Sequence, residues 1–144
     1  MSRSMQAMDW DAVPVKTGVI TNPAAGVDGT VTVPTGKRWL FLGATGTYAT
    51  DATVSNRYPR LNVADDGTNM SRSYVATSAV AASNSIVVTF AAGAYTTGIG
   101  NVYDIIGIGN LEVKAGAVLT FTAYAKQAGD DWSAIYYAYK EAPG

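Results

Sequence analysis

The sequence predicts an all-β fold, a jelly roll or a related Greek-key β-sandwich of about eight strands. From Val13 onward, short runs rich in Val, Thr, Tyr and Ile alternate with turn signals at the spacing typical of sandwiches and barrels. No segment shows the period of an amphipathic helix. The 144 residues, 48% hydrophobic and 15% charged, are enough for one packed core. We therefore expect a single sandwich domain over residues 13–144, preceded by an arm over residues 1–12, with an up-and-down barrel as the competing fold.

The first half of the chain supplies four predicted strands, separated by turns rich in Pro, Gly, Asn and Asp. The third is the longest, and its Gly43 and Gly46 predict a bulge or a bend. The fourth alternates as a half-buried strand does, with Leu61 and Val63 on one face. These strands are predicted over residues 13–21, 29–33, 37–49 and 57–64.

The second half supplies five further runs with strand character. The second of them places Ile86, Val88 and Phe90 on a single face, as one buried side of a strand requires. Between the second and third runs, residues 92–101 are rich in Gly and Thr and predict a long surface loop that carries Tyr95. The five runs cover residues 74–80, 85–91, 103–113, 118–126 and 134–140.

One predicted strand is apolar on both of its faces. Because strand side chains alternate, Trp39 and Phe41 point one way while Leu40 and Leu42 point the other. One face can line the sandwich interior. The other needs a cover, for which the candidates are a loop such as residues 92–101, a neighbouring side chain or a second protein.

Composition argues against several classes of function. Lys and Arg number 10 and Asp and Glu 11, with the signs interleaved and no basic run, so we expect no nucleic-acid partner. Cysteine and histidine are absent, which removes disulfides, thiolate or imidazole metal sites and histidine-based catalysis. No apolar run approaches the roughly 20 residues of a transmembrane helix, so we expect no membrane partner. Asp9 and Asp11 stand where a secretion signal would be apolar. We expect no cofactor, no metal and no enzymatic activity.

Two acidic clusters resemble sites but fit turns better. The segment 65–69 (DDGTN) offers oxygen ligands for calcium but lacks the bidentate Glu of a calcium loop, and Asp-Gly is a strong hairpin signal. Asp130 and Asp131, next to Trp132, resemble the paired carboxylates of a glycosidase, but adjacent strand residues face opposite ways, so we expect them to cap a turn. Three arginines are expected to form solvated ion pairs of small net value: Arg57, Arg60 and Arg72.

Aromatic residues are the remaining class with binding potential. The chain has 9 tyrosines and 3 tryptophans, and several crowd the C-terminal strand. Tyr and Trp are favoured at interfaces because they combine large apolar area with a polar tip, and they also stack on sugar rings. A core position is the default for most of them. The C-terminal group comprises Trp132, Tyr136, Tyr137 and Tyr139.

The stretch VPTGKRWLFLGATGTYATDATVSNRYPRLNVADDGTN, residues 33–69, resembles the opening strands of head decoration, or cement, proteins of tailed bacteriophages. The later KAGAVLTFTAY and AGDDWSAIYYAYKE resemble the final hairpin of that group. The resemblance covers about two thirds of the chain and consists of turns and strand texture, without an invariant chemical motif. It implies a jelly roll or related sandwich, no catalysis, oligomers on the outer face of a capsid, and an extension that grips the major capsid protein.

The leading hypothesis is therefore a structural virion protein that binds the exterior of a phage capsid and stabilises it. Its expected partners are the major capsid protein and itself, as a dimer or trimer, and it would be made in the host cytoplasm. The alternative is a carbohydrate-binding module or lectin-like domain that uses tyrosines and Trp132 as stacking platforms. The predicted partner contacts are Met5, Met8, Trp10, Tyr95 and Tyr137.

Overall fold

The computed structural model describes residues 9–94, 96–99 and 102–144. Within these ranges the chain forms one 3₁₀ turn, Trp10–Ala12, and twelve β-strands. The strands are β1 (Val15–Ile20), β2 (Gly29–Thr32), β3 (Lys37–Ala49), β4 (Tyr58–Ala64), β5 (Arg72–Val75), β6 (Ser85–Ala91), β7 (Thr97–Ile99), β8 (Tyr103–Gly107), β9 (Leu111–Val113), β10 (Val118–Tyr124), β11 (Asp131–Trp132) and β12 (Ile135–Pro143).

The strands form two sheets around one core, which confirms the predicted all-β sandwich. The larger sheet runs β1-β12-β3-β6-β8-β7, with β9 and β11 also paired to β3, and the smaller sheet runs β2-β10-β4-β5. Strands distant in sequence are neighbours in space, since β12 lies between β1 and β3, and β10 between β2 and β4. All of these pairs are antiparallel except β6 with β8, which is parallel.

More strands form than the eight or nine that alternation predicts. The additional ones are short, since β5, β7, β9 and β11 have only two to four residues each, and so few residues do not show a periodic pattern. The predicted run over residues 103–113 divides into β8 and β9, and the run over 74–80 is a regular strand only at its start. The predicted loop over residues 92–101 is wrong in part, because Thr97–Ile99 pairs with β8 as β7.

The core lies between the sheets and follows the predicted alternation. Leu61 and Val63 of β4 are fully buried, as are the three predicted inward residues of β6. Phe121 of β10 lies at the centre, with its ring 5.4 Å from that of Phe90 and 6.5 Å from that of Trp132. Rings from both sheets therefore interdigitate across the sandwich.

The long strand β3 contains the predicted bulge, at Leu42 and Gly43. The pairing of β3 with β12 slips by one residue there, which changes the face to which alternate side chains point. Phe41 before the bulge and Ala44 after it are therefore both buried. A Cβ on Gly43 would lie 2.4 Å from the Phe90 carbonyl oxygen, so the close approach of β6 requires glycine at this position.

Candidate functional site

The outer face of the larger sheet carries a row of uncharged side chains. Strand pairing aligns Val19, Tyr136, Thr45, Thr89 and Ile105 across five consecutive strands. Tyr136 is 58% exposed and Val19 54% exposed. The hydroxyls of Thr45 and Thr89 lie 3.1 Å apart and form a hydrogen bond, so they partly satisfy each other. The row is a flat, neutral strip across the sheet.

A shallow groove of about 560 Å³ crosses this row. It is lined by residues of β1, β12, β3 and β6, and none of the lining side chains is charged. The β3 bulge at Leu42 and Gly43 lies within it, and bulges bend the strand that contains them. Small residues such as Ala91 and Ala138 line it beside Tyr136 and leave room above the sheet. We call this groove and the row across it the docking face.

The outer face of the smaller sheet is more polar. The Arg60 guanidinium lies 5.9 Å from the centre of the Tyr124 ring, which is itself 60% exposed. The hydroxyl of Ser73 donates to the side-chain oxygen of Asn62 at 2.7 Å. The outer face of the smaller sheet is therefore charged at Arg60, unlike the docking face, although each presents an exposed tyrosine.

Trp10, a predicted partner contact, packs against its own chain. Its indole N–H donates to the Glu112 carboxylate, and Lys140 Nζ donates to its carbonyl oxygen at 2.7 Å. The Arg38 guanidinium lies 5.9 Å from the centre of its ring. Trp10 and Leu40 line one pocket, so the outward face of β3 at Leu40 is covered in part by residues of the 3₁₀ turn. The 3₁₀ turn therefore meets the sandwich on the outer face of the larger sheet.

Tyr137 points into the sandwich and is only partly exposed, so the expected exposure of its ring is wrong, while its role as a partner contact stays a prediction. Its ring lies 5.7 Å from that of Tyr139, and burial raises the pKa of Tyr137 above its usual range. A Cβ on the neighbouring Gly18 would lie 2.3 Å from the Tyr137 ring, so this glycine provides the space for it. Because strand side chains alternate, the buried Ile135 places Tyr137 inward and Tyr136 outward. The sequence pattern could therefore have predicted Tyr136 as the exposed tyrosine. The remaining predicted contacts lie outside the described residues: Met5, Met8 and Tyr95.

Trp132, predicted as a stacking platform for a sugar, is buried in the sandwich. Trp132 is only 1% exposed, and Tyr124 and Tyr136 lie on different sheets. A stacking site for a sugar needs two or three coplanar exposed rings close together. Trp132 therefore cannot stack on a sugar, and the carbohydrate-binding alternative would have to rest on exposed tyrosines such as Tyr124, which lies opposite Tyr58 in the pair of β10 with β4.

Arg57 is fully buried, so the prediction of a solvated ion pair is wrong for it. Its Nε and Nη2 donate to the two carboxylate oxygens of Asp130 at 3.0 and 3.1 Å, and Nη2 also donates to Asp51 at 2.6 Å. Its Nη1 donates to the carbonyl oxygens of Thr53 and Ser55 at 2.8 and 2.7 Å. All five N–H groups of the guanidinium thus have acceptors. Arg57 thus connects the loop after β3 to the turn before β11 through hydrogen bonds to both.

Asp130 is the centre of this buried network. Besides Arg57, it accepts hydrogen bonds from the Tyr48 hydroxyl and from the backbone N–H groups of Asp51 and Gln127, at 2.8–2.9 Å. Burial by itself raises the pKa of Asp130, but these hydrogen bonds outweigh it and hold the pKa below its usual range. Burial and the hydrogen bond to Asp130 raise the pKa of Tyr48 far above its usual range. The hydrogen bond from the Gln127 N–H to the Asp130 carboxylate closes the turn, as expected for a capping aspartate.

The segment 65–69 forms a turn, as predicted. Asp66 accepts hydrogen bonds from the backbone N–H groups of Thr68 and Asn69 at 2.8 and 2.7 Å, and these hold its pKa below the usual range. Asp65 instead pairs with Arg72 at 2.6 Å, and both of these side chains are about one third exposed. This exposed pair fits the solvated ion pair expected for Arg72.

Asp104 of β8 is a buried carboxylate that the sequence patterns did not single out. It is 1% exposed, and neither carboxylate oxygen has a hydrogen-bond partner among the described residues. Burial raises the pKa of Asp104 to about 6. A Cβ on Gly98 of β7 would lie 2.2 Å from Asp104 Oδ1 and 2.9 Å from Ser78 Oγ, so the carboxylate fits beside a glycine.

Within residues 9–94, 96–99 and 102–144, no group of three or more carboxylates is arranged to hold a metal ion. Over the same ranges, no helix has the length and apolar character to cross a bilayer. No protein-family model matches the chain, and comparison with curated proteins gives no match. The docking face is the largest uncharged groove described on the outer side of the larger sheet.

Proposed function

We propose that this chain is a non-enzymatic structural protein of a virion, a decoration or cement protein that binds the outer surface of a phage capsid and stabilises it. The major capsid protein is the proposed partner, and the capsid exterior the proposed location. The choice of a capsid rests on the resemblance of residues 33–69 to such proteins. The observation that carries the choice of binding surface is the uncharged docking face on the larger sheet.

Removing water from an uncharged face costs little free energy, because no charged group has to be desolvated. Burying a large apolar side chain contributes about 1.5–3 kcal/mol, and the docking face offers Tyr136 and Val19 for this. Its Thr45 and Thr89 hydroxyls already share a hydrogen bond, so few polar groups are left unpaired in an interface. A capsid presents many identical sites, and a standard interface needs about 800 Å² per partner.

The position of the 3₁₀ turn supports the same face. Lys140 and Glu112 fix Trp10 on the outer side of the larger sheet. The arm residues Met5 and Met8 directly precede this anchored turn in sequence. We propose that they contact the capsid beside the docking face, so that one side of the molecule makes all the contacts.

The test is co-sedimentation of the purified protein with empty phage heads that lack it, using a matched pair of variants. We expect the wild-type protein to sediment with the heads at a fixed stoichiometry. Tyr136→Ala, on the docking face, is expected to weaken binding about tenfold or more, in line with the loss of a central aromatic contact. Tyr124→Ala removes a tyrosine of similar exposure from the other sheet and is expected to bind as the wild type does.

The outcomes separate the two parts of the proposal. Wild-type protein that stays in the supernatant at all protein concentrations would refute the capsid role. Binding that Tyr124→Ala weakens and Tyr136→Ala leaves intact would retain the capsid role but place the contact on the smaller sheet. Both side chains are exposed, so neither substitution is expected to disturb folding, which circular dichroism checks.

A further inference from the structure

Strand β1 forms an open edge of the larger sheet. One side of it pairs with β12 from Val15 to Ile20, while no strand of the described chain pairs with its other side. An open edge presents unpaired N–H and C=O groups, and the complement of such a row is another extended strand. With six residues, β1 is the longest described edge strand, because β2 and β5 have four residues and β7 has three.

Of the devices that block edge pairing, β1 carries one charged residue, Lys16, and has no proline and no bulge between Val15 and Ile20. Its pairing with β12 is regular throughout. Gly18 faces the inward Tyr137, so alternation places Lys16 on the inward side and Val15, Thr17 and Val19 on the outward side. Lys16 Nζ is held at 3.0 Å by Glu141 of the same chain. The outward side is thus exposed and neutral.

We propose that β1 pairs with β1 of a second copy of this chain, antiparallel about a two-fold axis, with Thr17 opposite Thr17 of the second copy. This dimer goes beyond the proposed function, because it forms whether or not a capsid is bound. The occupant is a second copy because the strand is self-complementary. In this register the exposed Val15 lies opposite the exposed Val19 of the other copy, twice by symmetry.

The alternation of side chains between the two faces, together with the contacts made at each position, selects this register. Directly opposite residues in an antiparallel pair point to the same face, so the two-fold axis has to pass through a residue and not between two. An axis at Lys16 would place two ammonium groups opposite each other. An axis at Gly18 would place the charged Lys16 opposite the apolar Ile20 of the other copy. The axis at Thr17 avoids both problems.

The dimer also extends the docking face. Thr17 and Val19 line one side of the groove in each copy. Pairing the two β1 strands sets the two grooves side by side across a continuous sheet. A two-fold arrangement thereby doubles the neutral surface on one side of the assembly.

The absence of cysteine from the sequence provides a clean test. Opposite Cα atoms in an antiparallel pair lie about 4.5–5.5 Å apart, within the range of about 4.4–6.8 Å that a disulfide spans. We expect Thr17→Cys to form a covalent dimer in mild oxidant as the main product. Val54→Cys, at a position 94% exposed in the loop between β3 and β4, measures the background of random collisions. Cross-linking of Thr17→Cys no faster than that of Val54→Cys would overturn the proposal.

Sedimentation velocity without oxidant gives an independent readout. We expect the wild-type protein and Val54→Lys to show a concentration-dependent dimer, and Thr17→Lys to be monomeric because two ammonium groups would lie opposite each other. Thr17 is exposed, so circular dichroism should show an unchanged fold. A wild-type monomer at all concentrations, or a dimer that Thr17→Lys leaves intact, would overturn the proposal. Failure of capsid binding with the dimer preserved would count against the proposed function alone.

Discussion

Replacing Asp130 by alanine is expected to lower the free energy of unfolding by about 3–5 kcal/mol, because it leaves the Arg57 guanidinium buried without its main counter-charge. Both side chains of the pair are fully buried, with Nε and Oδ2 3.0 Å apart. The Tyr48 hydroxyl would also lose its acceptor. Equilibrium urea denaturation at neutral pH measures the change.

A second aspartate–arginine pair in the same chain is the control. Asp65 and Arg72 are 2.6 Å apart, but their side chains are 34% and 33% exposed. Exposed pairs contribute about 0–1 kcal/mol, so Asp65→Ala is expected to have a small effect. Similar losses in the two variants would show that burial of the Arg57 pair adds nothing to its stabilising effect.

The pH dependence of the first variant follows from the direction of its pKa shift. The pKa of Asp130 is lower in the folded chain than in the unfolded chain. Its ionised form therefore stabilises the fold above the unfolded pKa, and that contribution is lost as the pH falls through the folded pKa. The difference between the wild type and Asp130→Ala should accordingly shrink in acid.

The fold could be predicted because its main strands are long enough to show alternation. Leu61 and Val63 of β4, and Ile86 and Val88 of β6, are buried as their spacing implies. Short strands such as β7 form because a neighbour pairs with them, and three residues carry no periodic signal. The bulge could be predicted from Gly43, because only glycine fits where two backbones approach this closely.

The side-chain networks could not be predicted in the same way. Arg57 and Asp130 are 73 positions apart, and only the pairing of distant strands brings them together. Taken alone, an arginine near aspartates in sequence suggests a solvated pair, and this holds for Arg72 but not for Arg57. Tyr136 was open to prediction, because alternation from Ile135 places it on the outside. One buried neighbour shows which face of the strand is inward, and the tyrosine on the other face is then exposed.

Replacing Asp104 by asparagine is expected to stabilise the protein above about pH 7. The pKa of Asp104 rises from 3.8 to about 6 on burial. Each pKa unit corresponds to about 1.4 kcal/mol, so the ionised carboxylate opposes folding by up to about 3 kcal/mol. Asparagine has nearly the same shape and carries no charge, so it removes this penalty. Urea denaturation of both proteins between pH 3 and pH 8 measures the difference.

The sign of this pH dependence is opposite to that of Asp130. A carboxyl group whose folded pKa is raised gives its full contribution below the unfolded pKa of 3.8, where it is protonated in both states. The contribution is lost as the pH rises through about 6. The wild type and Asp104→Asn should therefore be similar in stability near pH 3, and the variant should gain on the wild type between pH 4 and pH 7.

Asp66→Asn is the control with the reverse trend. Hydrogen bonds from the backbone of Asn69 and Thr68 lower the pKa of Asp66, so its loss should destabilise the protein at neutral pH and have little effect in acid. Parallel stability curves for the wild type and Asp104→Asn would mean that the carboxylate is already neutralised or solvated in the folded chain. Diverging curves would show that the edge formed by β7 and β8 contains an acid whose ionisation weakens the sandwich just below neutral pH.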